Sequence, residues 1–257
     1  MRFQLLNCSL PKLSAVAVGA TLLLTTPSVP VQAISLVTQR ADLSANDKID
    51  WSSLDFGISV PITPNTIAKF LPYSFASESE NGLGYSVNIP ALNNPRFTPP
   101  FVFPVSPSVP VNFANGDAVL FTGFIPRTFP ATGNPGPITI TFDTPVLGAG
   151  AQIGVDDVPD FITFISAFDN QDNLLGSFST PGISSTEIDN SAAFLGVNNE
   201  IANISKIVIS TSVDNRAVGI NFLSIKRTTI PEPSALFALS LFGIGLLATK
   251  QKIASKN

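Results

Sequence analysis

Between residues 34 and 227 the chain is broken into short apolar or alternating runs, each stopped by Pro, Gly, Asn, Asp or Ser. No stretch of this middle sustains a 3.6-residue apolar period. A chain patterned this way cannot build amphipathic helices of any length; it can build strands joined by tight turns. Ile138-Thr139-Ile140-Thr141-Phe142 shows the pattern best, with β-branched or aromatic residues on one face and threonine on the other. The runs at 51–60, 84–89, 117–124, 137–142, 148–155, 161–168, 174–179, 192–197, 204–211 and 218–226 predict about ten strands. That number at that spacing predicts an all-β fold, a single β-sandwich or jelly-roll-like domain over residues 34–228.

Two connections are informative. Asp169-Asn170-Gln171-Asp172-Asn173 lies between apolar runs, and Asp and Asn tolerate left-handed backbone and form Asx turns, so it predicts a hairpin loop. Residues 90–110 are rich in proline and carry Phe97, Phe101 and Phe103. They predict an extended loop laid over the sheet or a flap, with the phenylalanines favouring packing.

Composition narrows the chemistry. The chain has no histidine, which excludes Ser-His-Asp catalysis, HExxH zinc sites and imidazole acid–base chemistry. Its one cysteine, Cys8, lies near the N-terminus. Charged residues are 12%, about half the usual share of roughly 25%. Between the two ends lie nine basic and seventeen acidic residues, a net charge of −8. An acidic middle without a basic patch speaks against nucleic-acid binding. It suits a solvated domain that binds cations or neutral sugars.

The ends carry their own signals. Arg2 and Lys12 precede an apolar run at 13–24, followed by Pro27, Pro30 and Val31-Gln32-Ala33. A positive start, an apolar middle and small residues at the close predict a signal peptide over 1–33, cleaved after Ala33. Cys8 precedes the apolar run, which is the wrong order for a lipid-modified cysteine. At the other end, residues 235–248 are uncharged and are followed by Lys250, Lys252 and Lys256. As a helix such a segment is a short transmembrane span, and the lysines orient it with the tail inside and the domain outside.

Pro231-Glu232-Pro233, the short apolar helix and the basic end together resemble the PEP-CTERM sorting signal of exported bacterial proteins, over residues 229–257. The resemblance implies recognition of Pro231, Glu232 and Pro233 by an exosortase, a membrane protease-transpeptidase, and removal of the tail. Lysines stand here where an arginine cluster is usual in the family. The middle is also similar to exported proteins with this tail, in Ala45-Asn46-Asp47-Lys48-Ile49-Asp50-Trp51, Gly148-Ala149-Gly150-Ala151-Gln152-Ile153, Ala193-Phe194-Leu195-Gly196-Val197 and Gly219-Ile220-Asn221-Phe222-Leu223. That likeness implies an address, at the cell surface or outside it after passage through the cytoplasmic membrane, and a β-sandwich. It implies no activity.

Candidate sites in the middle are few. Asp156, Asp157 and Asp160 form the densest acidic cluster and are candidate calcium ligands, or simply a solvated turn. Trp51, Tyr73 and Tyr85 are candidates for stacking on sugar rings, or for packing. No catalytic pair is identifiable. The expected function is a non-enzymatic surface or matrix protein that binds exopolysaccharide in lectin-like fashion. A polysaccharide hydrolase and a structural matrix protein without a specific ligand remain the alternatives.

Overall fold

The computed structural model describes residues 34–228, apart from 64–65, 108–110, 129 and 157. The expected signal segment with Ala33, and the tail with Pro231, Glu232 and Pro233, lie outside the described residues. The described residues belong to one unit. Among them no helix is long and apolar enough to cross a membrane.

Sixteen strands and two 3₁₀ turns account for the regular structure of the described residues. The strands are β1 (Ser35–Val37), β2 (Asp47–Ile49), β3 (Ile58–Thr63), β4 (Thr66–Phe70), β5 (Ser74–Glu78), β6 (Gly84–Asn88), β7 (Phe101–Pro104) and β8 (Ala118–Phe121). They continue with β9 (Ile138–Val146), β10 (Gly148–Val155), β11 (Asp160–Phe168), β12 (Leu174–Ile183), β13 (Ala193–Asn198), β14 (Ile204–Thr211), β15 (Val218–Ile220) and β16 (Leu223–Lys226). The turns are Arg40–Leu43 and Trp51–Ser53.

All pairings are antiparallel, in two sheets. One has ten strands, ordered β1-β13-β10-β15-β8-β7-β4-β3, with β16 also pairing β10 and β2 pairing β16. The other has six, ordered β12-β11-β14-β9-β6-β5. They close face to face over one core as a β-sandwich, the expected fold. Ile138, Ile140, Ile207 and Ile209 from the smaller sheet meet Ala149, Ala151, Ile153 and Val197 from the larger. Full burial of each isoleucine contributes about 2 kcal/mol. β9 follows its alternation as read: Ile138, Ile140 and Phe142 point inward while Thr139 and Thr141 do not.

Strand β10 departs from alternation and is buried at all eight positions. Its outer face is covered as well as its inner one, which small residues permit. Gly150 stands opposite Gly196, and a Cβ on Gly150 would meet the Phe194 ring at 2.8 Å. Prolines within strands sit where a missing N–H costs least: Pro61 on edge strand β3, Pro181 on edge strand β12, and Pro145 beside the register shift between β9 and β14.

Three sequence expectations change. Residues 51–60 are not one strand: Asp50 caps a 3₁₀ turn by accepting from Ser52 N at 2.9 Å, and β3 begins only at Ile58. Residues 218–226 are two strands, interrupted at Asn221-Phe222. The proline-rich segment is not wholly a loop, because Phe101–Pro104 forms β7 between β4 and β8. Phe101 and Phe103 join Phe113, Phe121 and Val111 in a second buried cluster. The hairpin loop at 169–173 is as expected, with Asp169 Oδ1 accepting from Gln171 N at 2.8 Å and Asn173 N at 2.9 Å.

Both ends of the domain leave from the same end of the larger sheet. Ser35 pairs with Asn198, Asn198 with Gly148, and Gly148 with Lys226. Three strand spacings separate Ser35 from Lys226, about 14 Å.

Candidate functional site

The 3₁₀ turn Arg40–Leu43 lies over β10, β13 and β16 and delivers one charged side chain onto the sheet. The Arg40 guanidinium has the Phe222 ring centroid at 3.8 Å and that of Phe194 at 5.0 Å. One terminal nitrogen donates to Ser224 Oγ at 2.5 Å and to the Phe222 carbonyl at 3.3 Å. The other donates to Asn221 Oδ1 at 2.9 Å and Gln152 Oε1 at 3.2 Å. All four acceptors are neutral. Burial therefore lowers the Arg40 pKa to about 10, and the field of Asp117 opposes that shift.

The acceptors are themselves locked. Asn221 Nδ2 donates to Gln152 Oε1 at 2.6 Å and to Asp117 Oδ2 at 3.0 Å. Gln152 Nε2 donates to the carbonyls of Asn190 and Ala192, both at 3.1 Å, and to Asn190 Oδ1 at 3.0 Å. Asn190 has a left-handed backbone at φ 63°. Asn221 breaks the β15–β16 run because its side chain bonds across to β10 in place of continuing the ladder, accepting from Gln152 N at 3.1 Å.

Two clefts flank Arg40. The larger, about 590 Å³, is lined by Arg40, Gln152, Thr180, Ile183, Asn190 and Phe194, with Thr38, Gln39 and Ser191 contributing further polar groups. It has the size of a small-ligand site and, among the described residues, no carboxylate in its lining. The second, about 510 Å³, lies against Phe222, Lys48, Glu80 and Asn81. A third, about 500 Å³, carries Asp55, Glu78 and Glu80, the last paired with Lys48 Nζ at 3.0 Å.

The residues anticipated from sequence are not brought together at any of these clefts. Trp51 and Tyr85 are in the core, 0% and 1% exposed, with ring centroids 6.2 Å apart in an edge-to-face contact. Neither presents a face to a sugar, which corrects the stacking expectation for both: each has a half-polar ring, but the sandwich closes over it. Trp51 Nε1 donates to the Asn221 carbonyl at 2.8 Å. Burial pushes the Tyr85 phenol up to about 12, against a smaller opposite effect of Ser77. Its hydroxyl meets no partner at hydrogen-bond geometry among the described residues. Tyr73 is half-buried and donates to the Thr98 carbonyl at 3.5 Å, bracing the proline-rich segment.

Asp156 follows β10, half-buried, its N–H bonded to the Ala217 carbonyl at 2.9 Å; Asp160 opens β11, exposed. Asp157 lies outside the described residues. Among the described residues no group of three or more His, Cys, Asp or Glu side chains converges as a metal set.

Arg40, Gln152 and Asn221 were missed by sequence reasoning. A usable signal existed for two of them, since Gln152 and Asn221 are lone amides inside otherwise apolar runs. Such amides are retained in a buried strand only when something satisfies them.

No profile of a known protein family matches the chain, and no curated protein sequence matches it. Among solved structures, a DUF4465 family protein from Bacteroides caccae is similar over 75% of this chain and 100% of that one, at 11% identity and a TM-score of 0.33. At that similarity it bears on neither the fold nor the function.

Proposed function

We propose that this is an exported bacterial protein, led out by residues 1–33 and sorted through an exosortase-type tail at 229–257. On this reading its β-sandwich binds exopolysaccharide at the cell surface or in the matrix, without catalysis. The observation that carries the binding role is the cleft beside Arg40. Its rim offers hydroxyl and amide groups from Thr38, Gln39, Thr180, Asn190 and Ser191, and its apolar surface comes from Pro181, Ile183 and Phe194. Sugars present the same mixture of hydroxyls and C–H faces. The cleft replaces Trp51 and Tyr85 as the candidate sugar site. The common exit of both domain ends supports the address, because one bilayer can serve leader and tail at once. Gln152, on the cleft floor, lies four residues along β10 from the exit row at Gly148, about 14 Å away.

The test is binding of residues 34–228 to the producer's exopolysaccharide and to a glycan array, with calcium and with chelator. Saturable binding that Thr180→Trp abolishes supports the cleft. Binding lost only in chelator moves the site toward Asp156, Asp157 and Asp160. No binding removes the glycan role. Hydrolysis is the second reading, favoured by the carboxylates of the third cleft; release of reducing ends in the same assay would establish it. For the address, alanines at Pro231, Glu232 and Pro233 should leave the protein membrane-retained and unprocessed, and normal release from that variant sinks the sorting reading.

A further inference from the structure

Unpaired N–H and C=O groups on an edge strand are a template for a further strand, and sheets blunt their edges with shortness, proline or charge. The edges of this sandwich follow that rule with one exception. In the larger sheet β1 and β2 have three residues each, and β3 carries Pro61 near its middle. In the smaller sheet β5 has five residues and ends on Glu78. β12, at the opposite edge, is ten residues long and has no charged side chain.

The hydrogen bonds show which main-chain groups of β12 are free. Ser212 N donates to the Ile162 carbonyl at 2.8 Å and Ile162 N donates to Ser212 Oγ at 3.0 Å, so the main chain of Ile162 is turned to the β14 side. Bonding direction alternates along an antiparallel strand, so Phe161, Thr163 and Ile165 face β12, opposite Gly182, Thr180 and Phe178. Ser184 N, donating to the Pro159 carbonyl at 3.2 Å, continues that series. Ser177, Ser179, Pro181 and Ile183 therefore turn their main-chain groups to the open edge, and Pro181 stands where its missing N–H breaks no bond. All four are exposed, and among the described residues none of these groups meets a backbone partner. The inner side of the strand is already closed: Ile34 lies over Gly176, where an added Cβ would overlap its Cγ2, and Phe178 packs against the main core. What stays open is the edge itself, with apolar side chains exposed at its two ends, Leu174 at 58% and Ile183 at 53%.

We propose that β12 is a self-pairing edge. Two copies of this chain join antiparallel through it about a two-fold axis beside Phe178, with Ser177 of each opposite Ser179 of the other, so that two six-stranded sheets run on as one. The register follows from the free groups. Ser177 and Ser179 each carry N–H and C=O on the open edge, so each facing pair exchanges both bonds, whereas a register that sets Ser177 against Pro181 loses a donor in each copy. A two-fold contact needs a patch that complements itself. This strand brings no charge to it, where β5 would bring Glu78 from each copy. The same register carries Leu174 of one copy to the Gly182–Ile183 end of the other, where the exposed side chains cover each other.

The experiment is analytical ultracentrifugation of the full chain in mild detergent, with Cys8→Ser so that no native thiol interferes. The expected result is a dimer at micromolar concentration. Ser179→Pro takes one donor from the open edge and none from the β11 ladder, in a strand that already holds Pro181, and should weaken dimerisation at least about tenfold. Trp51, the sole tryptophan, is buried and reports whether each variant has folded. Ser179→Lys, which brings two like charges into the contact without constraining the backbone, serves if the proline variant does not fold. For the register, Ser177→Cys and Ser179→Cys are oxidised separately and as a mixture. Facing residues lie about 5.5 Å apart at Cα, within disulfide reach, and diagonal ones about 7–8 Å. Covalent dimers should form in the mixture and not from either variant alone. A monomeric wild type, a dimer that survives in the folded Ser179 variants, or disulfides formed as readily by the separate variants overturns the proposal.

Discussion

The guanidinium of Arg40 sits over Phe222, 3.8 Å from its ring centroid, and reaches four neutral oxygens on β10, on β16 and on the Asn221-Phe222 break that precedes β16. One side chain from a four-residue 3₁₀ turn thereby ties the N-terminal segment to β10 and β16, 112 to 184 residues away in sequence. A planar fork is needed for that, and a lysine ammonium has neither the reach nor the geometry. Arg40→Lys should lower stability by about 2 kcal/mol, and Arg40→Ala by about 3 kcal/mol, in urea denaturation. Because the acceptors carry no charge, the loss should be nearly the same at low and high salt. A strong salt dependence would point instead to a carboxylate partner.

Asp47 does the corresponding work where the domain ends. Its side chain is fully buried and accepts from Ser79 Oγ at 2.6 Å, Arg227 Nη1 at 3.0 Å, Lys48 N at 2.8 Å and Asn81 N at 3.1 Å. Arg227 is held a second time by Asn46, whose Oδ1 takes the Arg227 N–H at 2.8 Å. Asp47→Ala strands a buried hydroxyl and a cation together and should cost about 3 kcal/mol. Hydrogen exchange should show the loss concentrated at 46–48, 79–83 and 225–227.

Trp51 separates a core role from a sugar-binding one. Trp51→Phe leaves the Asn221 carbonyl without its indole donor and opens a small cavity, at a cost of about 2 kcal/mol. Glycan binding by the folded variant should be unchanged. Lost binding with an intact fold would return Trp51 to the ligand site.

Tyr85 gives an alkaline signature. The phenol titrates near 10 when unfolded and near 12 when folded, so the folded state holds its proton longer. The stability this group confers is complete below pH 10 and is lost as pH rises through 12. Arg40 acts oppositely: burial holds its folded value near 10, below the ordinary guanidinium range, so its contribution grows as pH rises through 10. Tyr85→Phe removes only the first effect. Relative to wild type it should gain stability between pH 10 and 12, and be neutral or slightly stabilising at pH 7, since the buried hydroxyl has no partner. Equal alkaline profiles for the two proteins would refute the assignment.

Most of the sandwich was legible because a strand's alternation is local. β10 and β14 match the sequence reading at both ends, and the Asp169 to Asn173 hairpin announces itself through its Asx chemistry. Strands β1, β2, β4, β5 and β7 were not legible. Three to five residues carry little pattern, and β7 hides among prolines, with Pro104 at its last position beyond the pairing with β4. The site was hardly legible at all. Arg40 opens a short turn and looks like any surface cation, while its acceptors lie more than a hundred residues further on.

From the order of its residues alone this chain is a β-protein with no histidine chemistry, an acidic middle and two apolar ends. Those properties are sums or short-range patterns, and no contact between distant residues is needed to establish them. Tertiary structure alone decided which aromatic rings are core, which amides are bonded and where a cleft opens. Trp51 is buried because Tyr85 packs edge-to-face with it and the Asn221 carbonyl takes its N–H, and Gly176 is a seat because Ile34 arrives there from the far end of the sequence. Burial and hydrogen-bond partners are set by which strands are neighbours, and antiparallel pairing across two sheets makes neighbours of residues that no local pattern connects.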